Sequence, residues 1–110
     1  MEIPVKTLRT TLRAMMESLF DAFFPEYSPN SYEYSVNEAV KALSSLCGPE
    51  KAVLFRERIP VLAELLAQDV EAIGGNDPAA SDTQEIVYCY PAVTAMVHYR
   101  VAHELDGLPS

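Results

Sequence analysis

Hydrophobic residues recur at three- and four-residue spacing along most of the chain, which is the period of amphipathic α-helices. The first such stretch predicts a helix from about Pro4 to Phe24. Its apolar stripe consists of Leu8, Leu12, Met15, Met16, Leu19, Phe20 and Phe23. A stripe this wide is explained by burial in a core, and a contact between subunits is the alternative.

A second helix is predicted after a turn-rich segment, PEYSPNSYEYS. Ser35 and Glu38 have the spacing of a capping box, in which each side chain satisfies backbone N–H groups of the first turn. The helix should run from Val36 to Leu46, and Gly48 should end it because glycine suits the conformation just past a helix.

The central part of the chain predicts two helices separated at a proline. The first begins near Pro49. Pro60 lacks a backbone N–H and restricts the residue before it, so we expect a break or kink near Ile59. Val61 then begins the next helix.

One carboxylate falls within the apolar face of that helix. Asp69 shares the face with Leu62, Leu66 and Val70. Because a buried carboxylate needs partners, we expect Asp69 to accept hydrogen bonds from the N–H groups of a neighbouring helix or from an arginine such as Arg100. A role in shaping the loop that follows is the alternative.

Two further helix starts lie near the carboxyl terminus. Asp82 and Glu85 form a second capping box, which predicts a short helix from Thr83 to about Tyr88. Pro91 suits the first position of a helix that should run to about Leu105 and end at Asp106-Gly107. One face holds Ala92, Ala95, Met96, Tyr99, Ala102 and His103, beside a row of Val93, Val97 and Val101. So much apolar circumference predicts a buried helix.

These elements predict an all-α fold, a bundle of about five or six helices in one domain over residues 1–110. The net charge of −8 argues against nucleic acid as a binding partner, because the chain would repel its phosphates. No helix has the basic amphipathic face that would bind an anionic membrane. No apolar run approaches the ~20 residues that span a bilayer. The first residues lack the order of a secretory signal, so the cytoplasm is the expected compartment.

The cysteines and histidines do not form a recognisable metal motif. Cys47 and Cys89 are far apart, and we interpret both as buried structural thiols. His98 and His103 fall on different faces of a helix, with no acidic or thiol ligand repeating beside them. We therefore expect no metal site.

Three segments together resemble a known family. They are Asp69-Val70-Glu71-Ala72, Asp77-Pro78-Ala79 and Tyr99-Arg100-Val101-Ala102-His103-Glu104-Leu105. In this order they resemble the amino-terminal helical domain of bacterial serine O-acetyltransferases, over residues 66–105. The chain departs from the family pattern at Gly74-Gly75-Asn76, where family members often carry charged residues.

The resemblance implies roles for individual residues. By itself, Asp77 before a proline reads as a turn or a helix cap. The family's Asp-Pro-Ala aspartate contacts the ammonium side of the amino acid, so the resemblance implies that Asp77 binds substrate. It implies structural support from Asp69, Pro78, Ala79, Arg100 and His103.

The implied reaction transfers acetyl from acetyl-CoA, a co-substrate, to L-serine and gives O-acetylserine for cysteine biosynthesis. In the family, the histidine that acts as the general base belongs to a left-handed parallel β-helix, which follows the helical domain. We therefore expect this chain to be inactive alone, with no catalytic residue and no bound cofactor.

The resemblance also implies partners. The first is other copies of the chain, which would assemble as a trimer or a dimer of trimers. The second is O-acetylserine sulfhydrylase, which would dock through a carboxyl-terminal tail. A free-standing acidic helical interaction module is the alternative function.

Overall fold

The computed structural model describes residues 4–74, 86–88 and 90–109. These residues contain the helices α1 (Val5–Phe23), α2 (Tyr32–Cys47), α3 (Pro49–Gly74) and α4 (Pro91–Gly107), a 3₁₀ turn at Pro25–Tyr27, and helical backbone at 86–88. No strand occurs in the described ranges, which confirms the all-α prediction. The Asp82–Glu85 capping box lies outside the described residues.

The helices share one hydrophobic core. Helix α1 packs against α2 and α3, α2 packs against α3, and α3 packs against α4. Leu19, Leu43, Phe55 and Ile59 are fully buried at its centre. The stripe of α1 divides between two environments: Met15, Leu19 and Phe23 are buried, whereas Leu8 and Leu12 are 41% and 48% exposed.

Helix α2 begins earlier than the capping box predicted. The Oγ of Ser31 accepts a hydrogen bond from the Tyr34 N–H at 3.1 Å, so Ser31 is the N-cap. Ser35 is instead a buried residue within the helix, and its Oγ has no hydrogen-bond partner among the described residues. The helix ends as predicted, because Gly48 has a φ of 93°.

Helix α3 continues through Pro60, so the predicted break is wrong. A kink near Ile59, the other form of that prediction, stays a prediction. Ile59 and Leu62 lie on either side of the proline and are both buried. Pro60 and Arg56, whose carbonyl loses its usual N–H donor, are both exposed, so water can hydrate that carbonyl. Packing of the neighbouring residues therefore outweighs the local penalty of proline.

Helix α4 begins at Pro91 as predicted, but it is buried on one side only. Val93, Val97 and Val101 are buried. The Ala92, Tyr99 and His103 face is exposed, because α4 packs chiefly on α3. The expectation of a wholly buried helix was wrong. Gly107 lies within the helix and lacks the positive φ expected of a helix-ending glycine.

Cys47 is exposed at the end of α2, contrary to the prediction of a buried thiol, and Cys89 lies outside the described residues. None of the described helices has the length and apolar character needed to cross a membrane.

The two serines of α2 give a direct test of where the helix begins. Ser31→Ala should lower the free energy of unfolding by about 1 kcal/mol, because it removes the N-cap. Ser35→Ala is the matched control and should leave stability unchanged or raise it, because it removes a buried hydroxyl without a partner. Urea unfolding followed by circular dichroism measures both. A larger loss of stability for Ser35→Ala than for Ser31→Ala would instead support Ser35 as the N-cap.

Candidate functional site

The residues that the sequence analysis assigned to the site fall into two groups. Asp77, Pro78 and Ala79 lie outside the described residues, so their roles stay predictions. Asp69, Arg100 and His103 lie on α3 and α4, the helices that come before and after that segment. The structure therefore describes the two helices that flank the Asp-Pro-Ala box in the sequence.

Asp69 and Arg100 form an ion pair with two hydrogen bonds. The Arg100 Nε donates to Asp69 Oδ2 at 2.8 Å, and Nη2 donates to Oδ1 at 2.9 Å. The side chains of Arg100 and Asp69 are only 26% and 16% exposed. Hydrogen bonding to Asp69 raises the pKa of the Arg100 guanidinium. The structure thus contains the arginine partner proposed for Asp69, and two parallel bonds fix its orientation.

A second ion pair joins the same two helices. The Arg58 Nε donates to Glu104 Oε1. Arg58 precedes Asp69 on α3 whereas Glu104 follows Arg100 on α4, so the helices run antiparallel across this interface. Three members of these pairs line a pocket together with neighbouring side chains: Arg58, Arg100 and Glu104 with Leu62, Leu65 and His103. Both guanidinium groups are therefore occupied by carboxylates.

His103 lies on the exposed face of α4. Its ring stacks on that of Tyr99, with centroids 5.7 Å apart and planes inclined by 14°. Tyr99 is 59% exposed, so the stack faces outward from the helical core. The supporting role assigned to His103 stays a prediction.

The described chain resumes at residue 86, and residues 86–88 pack against the rest of the protein. Ile86 and Val87 are buried in the core. The hydroxyl of Tyr88 donates to the Tyr27 carbonyl at 2.9 Å, and its ring lies 5.7 Å from that of Phe20. Sequence reasoning missed this anchor, although the cluster of aromatic residues between Phe20 and Tyr34 was a signal for it.

The environment of Tyr88 favours its protonated form. Partial burial, followed by the nearby carboxylates of Asp21 and Glu26, raises the pKa of the phenol. The hydroxyl therefore stays a donor to the Tyr27 carbonyl at neutral pH. Since the folded state holds this proton more tightly, the stabilisation is present below pH 10 and is lost as pH rises through the higher folded pKa.

An open, mainly apolar groove lies between α1 and α4, where Leu12, Met16 and Phe20 meet Arg9, Arg13 and His98. Within the described ranges, no group of three or more histidine, cysteine, aspartate or glutamate side chains is arranged to hold a metal ion.

A double-mutant cycle should show that the Asp69–Arg100 pair stabilises the α3–α4 interface. We expect Asp69→Ala, Arg100→Ala and the double variant to give a coupling energy of about 1–2 kcal/mol in urea unfolding, since both side chains are mostly buried. The matched control is the cycle for Arg58 and Glu104. Because Arg58 is 44% exposed, its coupling should stay below about 1 kcal/mol. Equal coupling in the two cycles would contradict this ranking.

Comparison with known proteins adds an independent observation. No protein-family model and no solved structure matches this chain. A curated protein of Synechococcus elongatus, named serine acetyltransferase, plasmid, is 40% identical to it over 74 residues. The match covers 66% of this chain and 23% of that protein, so the chain spans about a quarter of its relative. Over these 74 residues the chain is thus similar to a serine acetyltransferase.

Proposed function

We propose that this chain is the helical amino-terminal domain of a serine O-acetyltransferase, which supplies O-acetylserine for cysteine biosynthesis. The observation that carries the proposal is the bidentate Asp69–Arg100 pair. It joins two segments of the family pattern that lie 31 residues apart in sequence. The 40% identity to a serine acetyltransferase supports the same function.

The proposed reaction moves an acetyl group from the sulfur of acetyl-CoA to the hydroxyl oxygen of L-serine. The new ester bond forms as the thioester bond breaks, the hydroxyl proton passes to a base, and coenzyme A leaves as the thiol. Serine hydroxyl is a weak nucleophile at neutral pH and needs that base. In this proposal the base belongs to a β-helix domain outside this chain, so the helical domain does not perform the chemistry.

The role proposed for this chain is to present Asp77 to the amino acid. A carboxylate suits the ammonium group of serine, because a charge-assisted hydrogen bond is stronger than a neutral one. Helices α3 and α4 precede and follow the segment of Asp77, and the Asp69–Arg100 and Arg58–Glu104 pairs join those helices. Two helices joined by ion pairs favour a fixed position for the functional residues that they support.

We also propose that α1 supplies a contact between copies of the chain. The support is its outer apolar row, in which Leu8 and Leu12 are 41% and 48% exposed. Exposed apolar rows of this kind commonly mark interfaces between proteins. The proposed assembly is a trimer or dimer of trimers.

The activity is tested by following thioester cleavage in acetyl-CoA with L-serine. The 110-residue chain is compared with the product of its complete reading frame. Activity in the longer protein alone supports a helical domain that depends on a separate catalytic domain. If neither protein cleaves acetyl-CoA with serine, the proposed enzyme function is wrong and an interaction module becomes the better explanation.

Asp77→Ala in the complete enzyme should raise the KM for serine about tenfold or more, because the ammonium group loses its carboxylate partner. The KM for acetyl-CoA should change less than about twofold. Steady-state kinetics with each substrate varied in turn measures both values. Asp106→Ala, which removes an exposed carboxylate from α4, is the control and should change neither. Equal increases in both KM values would show that Asp77 only maintains the fold.

Leu12→Glu should weaken the proposed self-association at least about tenfold, because it places a charge within an apolar contact. Sedimentation equilibrium over a range of concentrations measures the effect, and circular dichroism verifies the helix content. Val53→Glu alters a comparably exposed residue on α3, at 55%, and should leave association unchanged. If Leu12→Glu leaves association unchanged, the outer face of α1 is not the contact between copies.

A further inference from the structure

We propose that two copies of this chain pair through α1 in antiparallel orientation, with the basic half of one α1 against the acidic half of the other. This pairing gives an orientation and a register to the contact between copies proposed for α1, and it rests on that proposal. Two features of the described residues support it. They are an apolar groove beside α1 and a separation of charge along that helix.

An apolar row forms the α1 wall of the groove. Leu12, Met16 and Phe20 recur at four-residue spacing, so they lie one above another along the helix. Leu12 is exposed, whereas Met16 and Phe20 are partly buried. Thr94 and His98 of α4 form the opposite wall, and the groove has a volume of about 430 Å³. A groove that follows a helix in this way fits the apolar side chains of a second helix.

A row of charged residues runs beside the apolar row at the same four-residue spacing. Its members are Arg9, Arg13, Glu17 and Asp21. Arg9, Arg13 and Glu17 are exposed and line the groove. Asp21 accepts a hydrogen bond from the Asn30 side-chain amide at 3.5 Å. None of the four takes part in an ion pair within the described residues, where the ion pairs join α3 to α4.

The stability of the helix itself does not explain this order of charges. A helix dipole favours acidic residues in the first turn and basic residues in the last turn. Helix α1 has no acidic residue in its first turn and no basic residue in its last. Lys6, Arg9 and Arg13 follow one another at three- and four-residue spacing, at which like charges repel. A partner outside the helix accounts for the order better.

An antiparallel second copy satisfies these charges, whereas a parallel copy does not. In a parallel pair Arg13 would face its own copy, and so would Glu17. In an antiparallel pair related by a two-fold axis, the charged rows face each other in reverse order. Arg13 then lies opposite Glu17 of the partner subunit, and Arg9 lies opposite Asp21 of the partner subunit. Each attractive pair occurs twice, because a two-fold interface uses the same surface of both copies.

The charges also select the register of the two helices. When Arg13 lies opposite Glu17 of the partner subunit, the two-fold axis passes midway between these positions. Leu12 and Met16 of both copies then lie within about one turn of the axis, so the apolar rows cover each other. A slip of one turn in either direction would bring Arg13 or Glu17 opposite its own copy. Misaligned pairs are therefore disfavoured by repulsion.

The test exchanges the charges at positions 13 and 17 of the 110-residue chain and measures association by sedimentation equilibrium. Arg13→Glu and Glu17→Arg should each weaken association about tenfold, because each replaces two attractive pairs by two repulsive ones. The double variant Arg13→Glu/Glu17→Arg recreates both pairs with reversed sign. Its association should return to within about threefold of the wild type.

Arg56→Glu is the matched control. Arg56 is exposed on α3 and takes part in no ion pair within the described residues, and its substitution changes the net charge as much as Arg13→Glu does. It should leave association unchanged. In about 1 M salt, where the Debye length falls to about 3 Å, the effect of Arg13→Glu should shrink to less than about threefold. Circular dichroism verifies that all variants keep their helix content.

The outcomes separate this pairing from the proposals on which it builds. A wild type that stays monomeric at every concentration overturns both the contact through α1 and the antiparallel pairing. If Leu12→Glu weakens association but Arg13→Glu and Glu17→Arg do not, the contact stands and the antiparallel pairing is wrong. Failure of the double variant to recover association also overturns the pairing. Absence of acetyl transfer to serine would overturn the proposed enzyme function alone.

Discussion

The buried face of helix α3 is the constraint on which the rest of the structure depends. Its residues follow one another at three- or four-residue spacing along the whole helix: Ala52, Phe55, Ile59, Leu62, Leu66, Val70 and Gly74. This face meets the core shared with α1, α2 and α4. An interruption anywhere along it would separate the packing of α1 and α2 at one end from the Asp69–Arg100 pair and Ile86 at the other. The continuity of this face therefore connects the core to the candidate site.

Much of the helical structure was predictable because it depends on local spacing. The bounds of α1, the end of α2 at Gly48 and the start of α4 at Pro91 all follow from periodicity and from the conformations of glycine and proline. The errors arose where tertiary packing outweighed a local signal. Pro60 did not break α3 because buried residues flank it on both sides. Ser35 resembled an N-cap, but the core buries it, and Ser31 serves instead.

The candidate site also has features that the sequence predicts and features that it does not. The need of Asp69 for a partner could be inferred from its place in an apolar stripe, and Arg100 was the arginine named for it. The close packing of Ile86 on Gly74 at the end of α3 could not be inferred, since residues twelve positions apart give no periodic signal when they lie in different elements. The exposed side of α4 was also unpredictable, because composition cannot distinguish a helix covered on one side from one surrounded by neighbours. The role of Asp77 comes from family resemblance and not from the geometry of the flanking helices.

The separation of Asp69 and Arg100 in the chain has a consequence for synthesis on the ribosome. Asp69 is translated 31 residues before its partner, an interval of roughly two to six seconds at ordinary elongation rates. Until Arg100 has been made, the carboxylate of Asp69 has no guanidinium partner on α4. Helix α4 is therefore the last to join the nascent domain, and its arrival converts a hydrated surface charge into a part of the interior.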